Sequence, residues 1–355
     1  MNELEAIAER IRRWDSDGAQ GPFTLELYPT LRCNLNCTFC DTTDRHRPAT
    51  NELSVERQIA LIDEAAELGV RRVFILGGGE PLLSAATPKL MERTKALGME
   101  GVLTTNGTRF SDELIEQTLD WKWDEIHFSV DGPSPEVHDA LRGKRGAFKR
   151  TITTICKFNV RKIARKIETP RLALHFVLTN QNYTTLPEMV DLGRVLGVAR
   201  IDFDALIAYA PEQMALALNA AQLGAVPAIA EEALRRAERY GIATTLERFL
   251  DKTNIERGTH TPTVEAAEHA EGLAAAPCLK AWHYLVVQSD GRTSPCCVLA
   301  GEGESVADRS MREIWEGGDF LNEVRAAMRA GKPLDRCKEC SANILAHERA
   351  IRSHL

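Results

Sequence analysis

Short apolar runs alternate with amphipathic stretches along the first two thirds of the chain. Six β-branched or aromatic runs are strand candidates: FTLELYP, RRVFIL, GVLTTN, EIHFSV, RLALHFVLT and ARIDFDALI. Helical stretches separate them; in VERQIALIDEAAELG, Ile59, Ile62 and Ala66 share one helical face and Leu68-Gly69 marks the end. This alternation predicts an α/β fold with a parallel sheet, open or closed into a barrel, whose reacting residues lie at the carboxyl ends of strands.

The segments outside this alternation predict smaller elements. MNELEAIAERIRRW predicts an amphipathic helix, and residues 217–240 predict a helix that Pro227 divides or kinks. The weakly patterned stretch 252–276 is typical of a linker or a substrate-facing loop, and AWHYLVVQSDGRTSPCCV predicts a β-hairpin around its Asp-Gly turn. The predicted parts are an N-terminal helix at 1–22, a barrel at 23–215, a helical linker at 216–276 and a small C-terminal domain at 277–355.

Composition narrows the class of protein. The 355 residues carry a formal net charge of −7 and an ordinary hydrophobic fraction of 44%. No Lys/Arg block predicts nucleic-acid binding, and no apolar run approaches the ~20 residues that a membrane span needs. The N-terminus lacks the apolar stretch of a secretory signal, so we expect a cytoplasmic protein. In a reducing compartment, nine cysteines predict metal sites rather than a disulfide framework.

Three cysteines stand together directly after the first strand candidate. The stretch LRCNLNCTFC places Cys33, Cys37 and Cys40 in the spacing C-x3-C-x2-C. A closed zinc site has four Cys or His ligands. Either a distant fourth ligand therefore completes a structural zinc knuckle, or one metal position is left open for chemistry.

The triplet and the motifs after it resemble the signatures of the radical S-adenosylmethionine enzymes. Four further motifs stand in that family's order: LGGGEPLL at 76–83, TTNGT at 104–108, FSVDG at 128–132 and HDALRG at 138–143. The resemblance implies a partial (β/α)6 TIM-like barrel. It also implies that the three thiolates hold a 4Fe–4S cluster, a usual role for cysteine. S-adenosylmethionine chelates the open iron in that family. An electron from a donor of flavodoxin or ferredoxin type then yields a 5′-deoxyadenosyl radical that abstracts hydrogen.

The resemblance also implies a set of contacts to S-adenosylmethionine. The expected residues are Phe39, Gly77, Gly78, Gly79, Glu80, Pro81, Asn106, Ser129, Asp131, Arg142 and Leu178. Glycines let the backbone approach the methionine amine closely. Glu80 could accept a hydrogen bond from that amine. Arg142 is the expected partner of the methionine carboxylate, and Asp131 lies near the ribose. A Gly-rich turn, a solvated arginine, an ordinary turn at Asn106 and core packing of Leu178 are the open alternatives.

A second cysteine set follows in the C-terminal part. It resembles the SPASM region, or its shorter twitch form, and comprises Cys278, Cys296, Cys297, Cys337 and Cys340. We expect one auxiliary 4Fe–4S cluster with four of these as ligands: Cys278, Cys296, Cys337 and Cys340. Neighbouring residues of a strand point to opposite faces, so Cys297 should face away from Cys296. A four-cysteine zinc site is the alternative. Cys156, in a helical context, is expected to be a small buried apolar residue.

Strand parity predicts polar residues on the inner face of the barrel. If Ser129 and Asp131 face inward, period two places His127 on the same face. The same parity selects a set of candidate substrate contacts, namely Glu26, Tyr28, Asp202 and Asp204, with His127 deeper. Such groups are costly to bury without hydrogen bonds, so a polar substrate could satisfy them. A polar network that satisfies itself is the alternative.

These expectations lead to a radical enzyme whose substrate stays open. The first hypothesis is a small polar substrate: a sugar, aminocyclitol, nucleoside or related natural-product intermediate. The alternative is a SPASM-type maturase that modifies a peptide or protein side chain. A non-enzymatic iron–sulfur or zinc module would need a degenerate barrel, which the intact cysteine triplet and the Gly-Gly-Gly-Glu-Pro stretch disfavour.

Overall fold

Strands and helices alternate along the described chain, which comprises residues 2–18, 20–40, 51–208, 211–256, 276–340 and 342–355 of this computed structural model. They build two units, each from several stretches. The first unit consists of Met1–Leu31, Pro48–Gly101 and Thr261–Leu355, and the second of Arg32–Arg47 and Val102–His260. The sequential division at residues 22, 215 and 276 stays a prediction.

All strands but one pair are parallel, as the α/β prediction expects. The strands are β1 (Thr24–Leu27), β2 (Arg72–Ile75), β3 (Glu100–Thr105), β4 (Glu125–Ser129), β5 (Arg171–Leu178), β6 (Arg200–Ala205), β7 (Ala243–Thr244), β8 (Tyr284–Val287) and β9 (Thr293–Ser294). The described α-helices are α1 (Glu3–Arg12), α2 (Trp14–Asp17), α3 (Val55–Glu67), α4 (Ala86–Ala96), α5 (Asp112–Asp120), α6 (Pro135–Arg142), α7 (Ala147–Arg165), α8 (Leu186–Val195), α9 (Pro211–Met214), α10 (Ala220–Tyr240), α11 (Lys252–Glu256), α12 (Met311–Gly317), α13 (Asp319–Arg329) and α14 (Ala342–Arg352). None of these helices is long and apolar enough to cross a membrane.

In the first unit, β1 lies between two parallel neighbours, β2 and β8. β8 continues through the predicted hairpin into the antiparallel β9. The predicted N-terminal helix is present as α1, which begins with a capping box at Asn2 and buries Ile7 against Ile351 of α14. The first and last helices of the chain therefore share one apolar cluster in this unit.

In the second unit, β3 to β7 pair in chain order and all run parallel. The apolar parity of β4 and β6 is buried: Ile126, Phe128, Ile201 and Phe203 have no exposed surface. The Phe128 ring lies 6.2 Å from the ring of Phe158 on α7. The expected division of each strand into an apolar outer and a polar inner face is confirmed for the outer face.

Two helix predictions need correction. The buried face of α3 is formed by Gln58, Leu61, Ile62 and Ala65, so of the predicted residues only Ile62 belongs to it. Ile59 and Ala66 lie beside that face and are half-buried. α10 runs as one helix through Pro227, so Pro227 does not divide it, and the alternative of a kink stays a prediction.

Cys156 was expected to be buried, and this is wrong. Its side chain is exposed on α7. The buried residues of α7 include Thr154, Ile155 and Phe158, which occupy the inner face at helical spacing. Cys156 follows Ile155 by one position and is exposed. Most of the predicted linker at 252–276 lies outside the described residues, apart from α11.

The second strand of the hairpin is shorter than the sequence predicts. β9 ends at Ser294, and Cys297–Leu299 forms a 3₁₀ turn. Pro295 has no N–H to donate, so the ladder cannot continue through it. The strand-parity argument that separated Cys296 from Cys297 is therefore wrong. The two cysteines still differ, because Cys296 is half-buried and Cys297 is exposed.

Gly143 fixes the contact between α6 and the cysteine loop, defined as residues 32–40. It follows α6 with φ +60°, and a Cβ atom there would lie 2.0 Å from the carbonyl oxygen of Asn36. Real Cβ atoms do not approach backbone so closely, so only glycine fits. Gly146 also has a positive φ of +81°, but its Cβ position is open.

We expect Gly143→Ala to displace the cysteine loop and to lower iron incorporation, whereas the matched Gly146→Ala should retain it. Both variants carry the left-handed strain of about 1–2 kcal/mol, and only the first adds a backbone clash. Iron content after anaerobic reconstitution and thermal unfolding measure the two effects separately. Equal iron content in both variants would contradict the assignment.

Candidate active site

Backbone hydrogen bonds hold the cysteine loop against the end of α6, within the second unit. The Asn36 N–H donates to the Arg142 carbonyl at 3.1 Å, and the Thr38 N–H donates to the Leu141 carbonyl at 2.8 Å. Cys37 is buried beside Leu35, while Cys33 and Cys40 are half-buried in the same cluster. The end of α6 thus orients a loop that has no regular secondary structure of its own.

A buried ion pair lies directly beside this loop. The Arg142 guanidinium donates to the Asp131 carboxylate, and its Nη1 lies 3.7 Å from the Cys37 sulfur. Burial alone would lower the pKa of Arg142, but Asp131 and Cys37 raise it above its usual value. The Phe39 ring lies 5.2 Å from the guanidinium carbon. A guanidinium therefore lies next to Cys37, one of the three expected cluster ligands.

Both carboxylate oxygens of Asp131 accept hydrogen bonds from the protein. One oxygen accepts from Arg142, and the other accepts the Val177 N–H of β5 at 2.9 Å. The Asp131 N–H donates to Nδ1 of His138, whose burial lowers its pKa to about 4. The predicted roles of Arg142 at the methionine carboxylate and of Asp131 at the ribose stay predictions. In this structure the two residues bind each other.

Asn106 connects the turn after β3 to the cysteine loop. Its amide nitrogen donates to Asn34 Oδ1 at 3.0 Å, and its oxygen accepts the Thr108 N–H at 2.9 Å. The side chain of Asn106, the predicted ribose contact, therefore stabilises a turn, which is the alternative that the sequence left open. Ser129 and Leu178 end β4 and β5 and are buried.

The Gly-Gly-Gly-Glu-Pro stretch lies in the first unit. A Cβ atom at Gly77 would approach Cα and Cβ of Tyr28 to 3.2 Å, so the missing side chain lets Tyr28 pack on this turn. Glu80 is buried and accepts the Leu82 N–H at 3.1 Å, which caps the 3₁₀ turn Pro81–Leu83. Gly78 and Gly79 are half-buried in the same turn.

Most of the predicted inner-face residues are paired with neighbouring polar side chains of the protein. In the first unit, Tyr284 donates to Glu26, whose other oxygen is buried and has no hydrogen-bond partner among the described residues. In the second unit, Arg200 donates to Asp202 at 2.7 Å. His127 pairs with Glu125, whose pKa falls to about 2 because His127 and Arg171 outweigh the effect of burial. These contacts fit the alternative of a self-satisfied polar network.

One further inner-face residue was missed by the sequence analysis. His175 Nε2 lies 2.7 Å from Asp204 Oδ2, and both side chains are partly exposed. The strand RLALHFVLT was recognised, but its parity was not followed. Pairing of His175 with Ser129 in the β4–β5 register would have identified it.

Four of the C-terminal cysteines surround one pocket in the first unit. Cys278, Cys296, Cys337 and Cys340 line about 440 Å³ free of protein atoms, open solvent included, together with apolar residues of α13 such as Val324 and Met328. Burial raises the pKa of all four thiols, that of Cys337 to about 11. Within the described ranges, no three Cys, His, Asp or Glu side chains could hold a single metal ion. The four thiols line one pocket, and the cluster expected there stays a prediction.

Cys297 does not line this pocket. Its side chain is exposed, yet burial of its surroundings and then Glu26 raise its pKa to about 12. The ligand set expected from the sequence matches the four cysteines of the pocket, and it stays a prediction.

Two family models match parts of this chain. The radical SAM superfamily model matches residues 27–193, and the SPASM model, described as an iron–sulfur cluster-binding domain, matches residues 278–341. The PqqA peptide cyclase of Rhizobium meliloti (strain 1021) is 31% identical over 316 residues, which span 83% of this chain and 74% of the relative. The chain belongs to the radical S-adenosylmethionine superfamily.

Other relatives of this radical S-adenosylmethionine protein differ in their named activities. The AdoMet-dependent heme synthase of Methanosarcina barkeri (strain Fusaro / DSM 804) is 24% identical over 296 residues, 83% of this chain and 82% of its own length. The structure of Streptococcus suis SuiB bound to S-adenosylmethionine has a TM-score of 0.67 at 18% identity and covers 90% of this chain and 71% of SuiB. That likeness confirms the fold. Membership confirms the cofactors: S-adenosylmethionine, the 4Fe–4S cluster and auxiliary iron–sulfur binding in the C-terminal region.

Replacing any of Cys33, Cys37 and Cys40 with Ala is expected to abolish reductive cleavage of S-adenosylmethionine, because two thiolates do not hold the cluster. The measurement is 5′-deoxyadenosine formed by anaerobically reconstituted protein with dithionite. Cys156→Ala, at an exposed cysteine, is the matched control and should cleave normally. Cleavage that survives in the triple Ala variant would sink the assignment.

The second cysteine set predicts about eight irons per chain, four from each cluster. The double variant Cys337→Ala/Cys340→Ala should keep about four irons and the cleavage of S-adenosylmethionine. Elemental analysis and Mössbauer spectroscopy measure the loss. Four irons and one zinc in the wild type would instead identify the pocket as a zinc site.

Proposed function

We propose that this enzyme abstracts a hydrogen atom from a residue of a peptide or protein. The observation that carries the proposal is the 31% identity to a protein named a PqqA peptide cyclase, across 83% of this chain. The likeness to SuiB, which has also been solved with its precursor peptide SuiA at a TM-score of 0.66, is compatible with it. Bound S-adenosylmethionine and the cluster supply the 5′-deoxyadenosyl radical, and the protein supplies position, charge and exclusion of water.

The inner-face contacts weaken the first hypothesis of a small polar substrate. That hypothesis depended on Glu26, Asp202 and Asp204 needing an external partner. Each of them accepts a hydrogen bond from a neighbouring side chain, namely Tyr284, Arg200 and His175. One buried oxygen of Glu26 has no hydrogen-bond partner among the described residues. The demand for a hydroxyl-rich ligand is therefore largely removed, and the relatives favour the peptide.

Within this proposal, the residues of the second unit that surround Cys37 would hold the cysteine loop in position to bind the cluster. Arg142 keeps a positive charge beside the cysteine loop, and Phe39 packs against that guanidinium. Phe39 also packs on the cluster of Leu206, Ala208 and Leu216. A low-potential protein of flavodoxin or ferredoxin type is the proposed electron donor. Oxidation, cyclisation and other outcomes share the first step of hydrogen abstraction, so the proposal names no net reaction.

The test is coexpression of the enzyme with short peptides encoded beside its gene, followed by mass spectrometry of each peptide. We expect a mass change or a new cross-link in one peptide with the wild-type enzyme and none with Cys37→Ala. Deuterium at the reacting residue should move into 5′-deoxyadenosine in vitro. Transfer of deuterium from a deuterated small-molecule extract, with no peptide changed, would refute the proposal and restore the small-substrate hypothesis.

A further inference from the structure

Two neighbouring strands of the second unit, β5 and β6, carry an imidazole–carboxylate pair on the predicted inner face. His175 is in the middle of β5, in register with Ser129 on β4 and with Asp202 on β6. Its Nε2 lies 2.7 Å from Oδ2 of Asp204, which is two residues further along β6. Ser129 is an expected contact of S-adenosylmethionine, so the pair lies one strand away from the expected reaction centre.

Both members of the pair are accessible. The side chain of His175 is 29% exposed and that of Asp204 is 33% exposed. By contrast, the His127–Glu125 pair on β4 has exposures of 16% and 18%, and His138 is fully buried. The only side-chain hydrogen bond of His175 runs from Nε2, so its Nδ1 has no partner among the residues that the structure describes. The His175–Asp204 pair is therefore more accessible than the His127–Glu125 pair, and Nδ1 of His175 is left to accept a hydrogen bond.

The charges around the imidazole favour proton binding. Burial lowers the pKa of His175, but the hydrogen bond and charge of Asp204, and then Asp131, raise it above its usual value. Arg142 opposes this effect from the end of α6. Arg248 Nη1 lies 3.9 Å from Asp204 Oδ1, so a guanidinium lies beside the other oxygen of this carboxylate. A carboxylate on one ring nitrogen fixes the tautomer and strengthens the other nitrogen as a base.

We propose that His175, positioned by Asp204, is a general base of this enzyme. The Nδ1 lone pair accepts a proton from a substrate O–H, N–H or S–H group, which leaves as its conjugate base, and the resulting imidazolium is stabilised by Asp204. This part rests on the proposed function: the reacting residue of the peptide carries such a group, for example tyrosine, serine, lysine or cysteine. The acid–base role itself does not depend on the substrate being a peptide.

The first experiment needs no substrate. Diethyl pyrocarbonate modifies neutral, accessible imidazoles, and peptide mapping of the anaerobic holoenzyme resolves each histidine. We expect His175 to react, with a half-maximal rate at a pH above the ordinary value of about 6.5. Asp204→Asn should move that midpoint to lower pH. The buried His138 is the internal control and should not react. An unreactive His175, or a midpoint that Asp204→Asn leaves unchanged, overturns the proposal.

The second experiment uses whichever substrate the wild type converts. His175→Gln, which can still bind Asp204, should lower product formation ~100-fold, a usual contribution of general base catalysis. It should leave 5′-deoxyadenosine formation with dithionite within about twofold, because the cluster residues are intact. Wild-type turnover should rise with pH through the pKa of His175, since the neutral base is required, and in Asp204→Asn the rise should come at lower pH.

The outcomes separate the two proposals. Normal turnover of His175→Gln with an unchanged pH profile refutes the general base, whatever the substrate is. A peptide that no enzyme form modifies, together with a small molecule whose turnover depends on His175, refutes the peptide proposal and supports the base. Loss of 5′-deoxyadenosine formation in His175→Gln would mean that the residue supports the cofactor site, and this also overturns the inference.

Discussion

The ion pair between Asp131 and Arg142 is the interaction on which the candidate active site depends. Both side chains are buried, and a buried charge pair contributes favourably only when its remaining hydrogen-bonding groups are satisfied. That condition is met here, because Asp131 also accepts from β5 while Arg142 also donates to Cys37. Removing one partner would leave the other as an uncompensated buried charge, at a cost of about 3–5 kcal/mol.

The position of the cysteine loop follows from this pair. The backbone carbonyl of Arg142 accepts from the loop, its side chain reaches Cys37, and Gly143 next to it admits the Asn36 carbonyl. Asn106 holds the same loop from the other side through Asn34. A loop without regular structure can place a thiolate reproducibly only through such contacts. The motif HDALRG is therefore a clamp for the cysteine triplet as much as a possible cofactor contact.

Sequence reasoning succeeded where a single period decided the outcome. The buried parity of β4 and β6 and the hairpin after β8 follow directly from alternation and turn chemistry. It failed where the partner was not local. The β1–β8 pairing joins segments about 260 residues apart, and the Tyr284–Glu26 hydrogen bond depends on it. Two further failures are local. The exposure of Cys156 depends on a one-position shift along α7, and the end of β9 depends on a single proline. A repeating pattern does not resolve such details.

The two cysteine sets differ in their surroundings in the way that their expected tasks differ. Cys37 has a guanidinium at 3.7 Å, so a positive charge lies beside this expected cluster ligand. The four C-terminal cysteines face a largely apolar pocket, and their raised pKa values mean that only metal binding makes thiolates favourable there. An iron with an exchangeable position needs fixed charges to orient an incoming ligand. A fully protein-ligated cluster needs only the right number of thiolates and a dry pocket, so its environment can be apolar, with Lys280 as the one cation among the residues described along its lining.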